Sequence, residues 1–170
     1  MFFDMDGFVK NLVATFATDL GAKVARAVEA AARQSGGLGA AITYMHQEPG
    51  IGVEQLRTAL GLSQPATVRL VNQLVDAGLA ARTPHGHDGR RVSLDLTVTG
   101  RSRADDILAA RAAAVDGFLA GLSTDQQRQL VDLIATGYRS RPPEPAEAEH
   151  ICRLCDVDAC PAGRCPVTPT

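Results

Sequence analysis

Residues 53–98 hold the pattern that most restricts how this chain can fold. Val53, Leu56, Ala59 and Leu60 make one apolar face of a short helix, and Gly61 ends it. After Leu62, Ser63 stands as an N-cap, with Pro65 tolerated in the first turn of the next helix. On the wheel of that second helix Ala66, Leu70 and Leu74 face inward, with Thr67 and Val71 on the flank. The opposite arc holds Gln64, Pro65, Val68, Arg69 and Asn72, and Gly78 closes the helix. Two β-prone runs follow, about 79–82 and 92–98, the second alternating Val92, Leu94, Leu96 and Val98. The polar, glycine-rich stretch Thr83-Pro-His-Gly-His-Asp-Gly-Arg-Arg91 lies between them as a hairpin tip.

Two short helices on a tight turn, followed by a hairpin with a basic tip, predict a winged helix-turn-helix. Such a fold places its second helix in the major groove of DNA with the polar arc outward and the N-terminal end near base edges. Gln64, Arg69 and Asn72 offer donors and acceptors there, Ser63 and Pro65 lie at the entering end, and Val68 suits a thymine methyl.

The flanks are helical. Phe8, Leu12, Phe16, Leu20, Val24 and Val28 stripe a long amphipathic helix over about 6–34, and a short helix covers about 38–47 before Pro49-Gly50. A further long helix runs over about 99–122, with Ile107, Leu108, Val115, Phe118 and Leu119 on its apolar side. Ser123-Thr-Asp-Gln126 reads as a capping box opening another helix, about 124–139, lined by Leu130, Val131, Ile134 and Tyr138. Three helices this long carry more apolar surface than one winged domain covers, so a homodimer is expected. The fold class is mainly α with a small β-hairpin wing.

The stretch Leu62-Ser-Gln-Pro-Ala-Thr-Val-Arg-Leu-Val-Asn-Gln-Leu74, with Asp76-Ala-Gly-Leu-Ala80, Arg82, Asp88-Gly-Arg-Arg91 and Leu96-Thr-Val-Thr-Gly100, resembles the MarR family of regulators. The likeness spans roughly 6–140. It implies that Arg90, beside Arg91 at the wing, enters the minor groove while Asp88 orients its guanidinium, in keeping with the attraction of arginine to narrow grooves. It also implies dimerisation through helices from both ends of the domain, about 6–34 and 99–140, and a ligand cleft for a small-molecule effector. A dimer would read a pseudo-palindromic operator in double-stranded DNA, its half-sites about one helical turn apart.

Charge agrees with this reading. The net charge is −2, but residues 53–103 carry seven Arg against four acids, whereas 104–170 carry six basic residues against ten acids. With five Phe, two Tyr and no Trp, stacking on single strands is a poor basis for binding. No apolar run is long enough for a membrane span, and Asp4 and Asp6 stand where a signal peptide carries positive charge, so a cytoplasmic protein is expected. No glycine-rich nucleotide loop and no nucleophile with a base partner argues for an enzyme.

All four cysteines, Cys152, Cys155, Cys160 and Cys165, fall in the last 19 residues and read C-x2-C-x4-C-x4-C. Clustered thiols in a cytosolic chain point to a metal site. Tetrahedral thiolate coordination suits zinc, and the spacing resembles a zinc knuckle with Cys160 in place of its His. An iron–sulfur cluster is the competitor, with Cys165-Pro166 similar to the last ligand of bacterial ferredoxins, whose gaps are shorter; spacing leans to zinc. Reversible disulfides are a third use. The sequence therefore divides into a MarR-like domain (1–140), a semi-rigid linker (141–149) and a Cys-rich tail (150–170) expected to pack on the dimer helices. The expected function is a sequence-specific transcriptional regulator, a repressor, sensing metal or redox state. Its rivals are a nucleic-acid-binding protein with a purely structural zinc site and an iron–sulfur redox protein.

Overall fold

Glycine and proline punctuation sets the limits of the central helices. The computed structural model describes residues 5–33, 37–84, 92–160 and 165–168. A long helix α1 (Met5–Ala32) leads to α2 (Leu38–Gln47), a short strand β1 (Ile51–Gly52), α3 (Val53–Leu60) and α4 (Gln64–Asp76). Gly61 ends α3 at φ 64°, the left-handed region where a side chain would be strained. Strands β2 (Ala80–Pro84) and β3 (Val92–Leu96) precede the long helix α5 (Val98–Leu119), then α6 (Thr124–Ser140) and α7 (Pro145–Cys152). The expected capping box is present at α6, where the Ser123 and Gln126 side chains and backbones bond reciprocally.

The sheet is antiparallel with order β1-β3-β2, pairing Ile51 with Leu94 and Arg82 with Leu94 on the other side. Expecting only a hairpin missed β1, because two residues are too few to show any period. Val98 was expected to extend the strand but belongs to α5 and is 76% exposed. Thr97 causes the change: its backbone N–H donates to Leu79 O at 3.0 Å, and its Oγ1 donates to Gly78 O (2.7 Å) while accepting from the Gly100 N–H, capping the helix.

Ile42, Met45, Leu56, Leu74, Leu94 and Ile107 are fully buried and join α2, α3, α4, β3 and α5 in one core. On α4 the inward face is Thr67, Leu70, Val71 and Leu74, with Ala66 half-buried, a rotation of the expected face toward its flank. The α1 stripe sinks gradually: Leu12 is exposed, Phe16, Leu20 and Val24 are half-buried, and Val28 and Ala32 are buried. Helix α1 packs along α5, where the Phe16 and Phe118 rings lie 4.6 Å apart. Helix α6 leaves α5 at a bend of 114° and buries only Ala135. Among the described residues no single helix is long and apolar enough to cross a membrane.

The expected linker over 141–149 is only partly a linker. Helix α7 begins at Pro145, whose fixed φ and missing N–H suit the first turn, so proline starts a helix where an extended spacer was expected.

Candidate nucleic-acid interface and thiol cluster

Helix α4 is anchored by its buried face, and this turns the remaining side chains outward. Ser63, Gln64, Pro65, Val68, Arg69 and Asn72 are all exposed, Val68 at 43%. Ser63 holds the N-cap position, but its hydroxyl makes no cap bond; its carbonyl instead accepts from the backbone N–H and the hydroxyl of Thr67, both at 3.0 Å. The Arg69 side chain makes no hydrogen bond or ion pair among the described residues. Asn72 does have a partner: Arg82 Nη2 on β2 donates to its Oδ1 at 2.6 Å. Its amide N–H groups and the second lone pair of Oδ1 remain to approach a base. Nearby Arg57 is also engaged, held by Glu54 at 2.7 Å, and this pairing keeps the Glu54 carboxyl below and the guanidinium above their ordinary values. Asp88, Arg90 and Arg91, like His85 and His87, lie outside the described residues.

Among the described residues the tail docks mainly on the winged helix. Helix α7 packs on α3, Ala148 is buried, and Leu154 packs against the core. His150 Nδ1 lies 3.1 Å from Ala59 O, near the end of α3. Gln47, the last residue of α2, donates its side-chain amide to Cys155 O at 2.6 Å and to Cys152 O at 3.3 Å. A recess of about 300 Å³ remains between α1, α2 and the tail, walled by Val28, Leu60, Leu62 and Leu154 with His150 and Arg153 at its polar side.

The thiols influence one another most strongly as two pairs, Cys152 with Cys155 and Cys160 with Cys165. Burial, reinforced by the charges of the other three, pushes the Cys152 thiol up to about 12. Burial and Cys165 also raise Cys160, whereas hydrogen bonds from Thr168 and Val167 outweigh burial and lower Cys165. Four sulfurs that feel one another form a donor set suited to zinc or to an iron–sulfur cluster. Yet no group of three His, Cys, Asp or Glu among the described residues is already arranged to hold an ion. Loading such a site would require proton loss and a local closing of the thiol loop.

Residues 40–91 match the model of the MarR family. That stretch runs from α2 through β2, so the likeness to the family covers the winged-helix part of the chain. Its fold is similar to that of RV1404 from Mycobacterium tuberculosis, with TM-score 0.70 and 21% identity over 85% of this chain and 98% of the other. A MepR variant from Staphylococcus aureus bound to an oligodeoxyribonucleotide aligns with TM-score 0.60 and 19% identity, over 78% of this chain and 96% of that one. Wild-type MarR from E. coli aligns with TM-score 0.60 and 17% identity, over 72% and 94% of the two chains. The architecture, mainly helical with a small sheet, is thus similar to that of these solved structures.

Sequence reasoning brought the α4 arc, the four cysteines and, through the family resemblance, Arg82 to light, but not Gln47, His150 or the bond from Arg82 to Asn72. Their partners lie 105 to 108, 91 and 10 residues away. No local period marks such contacts.

Proposed function

We propose that the chain is a homodimeric, sequence-specific DNA-binding regulator, acting as a repressor, whose thiol tail holds zinc or an iron–sulfur cluster and senses metal or redox state. The observation that carries the DNA reading is the exposed arc Ser63, Gln64, Pro65, Val68, Arg69 and Asn72, on a helix fixed by four buried residues from below. Arg69, whose side chain has no partner among the described residues, is the cation of that arc, suited to a guanine edge or a phosphate. By the family likeness, Arg90 and Arg91 serve the minor groove, with Asp88 orienting Arg90. The MepR variant bound to an oligodeoxyribonucleotide supports the same use of the fold here. Exposed Leu12 and Val13 on α1, with Val131, Leu133 and Ile134 on α6, suit a second copy of the chain. The recess beside Leu154 and Arg153 would take a small-molecule effector.

Selection from a random duplex pool tests the DNA reading. A pseudo-palindromic sequence should emerge, bound at least about a thousandfold more tightly than unrelated duplex at the same salt. Arg69→Ala should cost about 1–3 kcal/mol on the selected duplex. Equal affinity for all duplexes would instead indicate a non-specific binding protein. For the tail, anaerobic purification with metal analysis and a visible spectrum decides: colourless protein with one zinc per chain, or brown protein with iron and sulfide.

A further inference from the structure

Gln47 joins the end of α2 to the turn that bears the first two cysteines. Its amide spans both carbonyls of the turn Cys152-Arg-Leu-Cys155, which is closed on itself by the Cys155 N–H to Cys152 O bond at 2.8 Å. The same tail grips the far end of α3. His150 meets Ala59 O, and its ring lies so close to the turn that a Cβ on Gly61 would sit 3.5 Å from Nδ1. That turn joins α3 to the recognition helix α4 through bonds from Gly61 N to Thr58 O and from Leu62 N to Arg57 O, both 3.1 Å. The ends of α2 and α3 are therefore both held by the segment that begins the thiol cluster. Helix α6 takes no comparable part.

From this juxtaposition we infer that Gln47 is a positioning residue that transmits the state of the thiol cluster to the α3–α4 turn. The inference rests on the reading that the thiols hold a metal. A half-buried amide needs acceptors, and its two acceptors are carbonyls of the first two thiol-bearing residues. With all four sulfurs bound to one centre, these carbonyls stay in place, Gln47 remains bonded and α7 stays seated on α3. With the sulfurs free, the turn Cys152-Arg-Leu-Cys155 loses that restraint, and both grips on the helix-turn-helix weaken. The loaded state is then the tighter DNA-binding state, because its recognition helix is held in one orientation before binding. The route runs through the helix-turn-helix of each chain, not through the spacing of a dimer.

The test uses full-length protein with zinc or with chelator, and two variants, Gln47→Leu and Gln47→Glu, neither of which can donate to the carbonyls. Readouts are zinc stoichiometry, amide hydrogen exchange over residues 58–63, and affinity for the selected duplex. In the native protein zinc should slow exchange in the turn and raise affinity about fivefold or more, the lower range for coupled sites. Both variants should bind one zinc per chain, keep the native circular dichroism, and lose both responses. Zinc-loaded variants with undiminished protection and an undiminished affinity gain would overturn the inference while leaving the metal site intact. A native protein that takes up neither zinc nor iron would bring down the metal reading itself, and this inference with it.

Discussion

Arg82 on β2 donates to Asn72 Oδ1 on α4 across 2.6 Å, so the wing and the recognition helix share a side-chain bond on the exposed surface. The bond fixes Asn72 for one hydrogen-bonding role and keeps Arg82 at the base of the wing. If it orients both elements toward DNA, Asn72→Ala and Arg82→Ala will not act independently. A double-mutant cycle on duplex affinity should return a coupling of about 0.5 kcal/mol or more. Additive losses would mean that each residue meets DNA on its own.

Gly100 sits where β2 begins and α5 starts, with Leu79 O so near that an added Cβ would lie 2.0 Å from it. That oxygen is backbone and accepts from Thr97 N–H, so it cannot rotate aside. Gly100→Ala should therefore destabilise the protein by about 1–3 kcal/mol, as overpacking does. Gly21, in the middle of α1 with nothing within 4 Å of its would-be Cβ, is the contrast. There the same substitution should stabilise by about 0.5–1 kcal/mol through the helix backbone. Urea unfolding of both variants checks the pair of signs.

The sequence made the centre of the molecule legible because its limits are chemical. Gly61 and the Pro49-Gly50 pair stop helices that nothing else would stop, and α2 and α3 span the residues expected. Arg69 and Val68 were legible as outward residues because Leu70 and Leu74 must point in. Where the face was set by packing and not by apolarity, the wheel erred: Thr67 is buried because its hydroxyl bonds to Ser63 O, which a hydropathy pattern does not register. The seat of the thiol tail was equally hidden, since Gln47 and His150 meet groups about a hundred residues away in sequence. Composition also misled at α7, where prolines suggested a spacer and Pro145 instead opens a helix.

The exposed apolar residues of α1 and α6 make the dimer reading easy to challenge. Leu12 is 53% and Ile134 50% exposed on the surface of the single chain, so an acidic side chain at either position is compatible with its fold. Leu12→Asp and Ile134→Asp should each give a folded monomer in sedimentation velocity. Both should lose affinity for a duplex with two half-sites far more than for a duplex with one. Variants that remain dimeric would place the interface elsewhere.

Tyr44 offers an optical check on whether α7 is seated in solution. Burial raises its phenol above the ordinary 10.0, and the Glu149 carboxylate of α7 raises it further, with Glu48 adding a little and a hydrogen bond from Gln55 opposing. A phenol whose folded pKa is raised contributes stability that is complete below its unfolded value and is lost as pH climbs through the folded one. The protein should therefore weaken above about pH 10, the ordinary value for tyrosine, and Tyr44→Phe should remove that part of the loss. In an alkaline absorbance titration the late phenolate step should vanish in Tyr44→Phe. Glu149→Gln should move it to lower pH, because the neutral amide no longer opposes the phenolate charge. A Tyr44 step unmoved by Glu149→Gln would mean that α7 does not rest where its carboxylate reaches the winged helix.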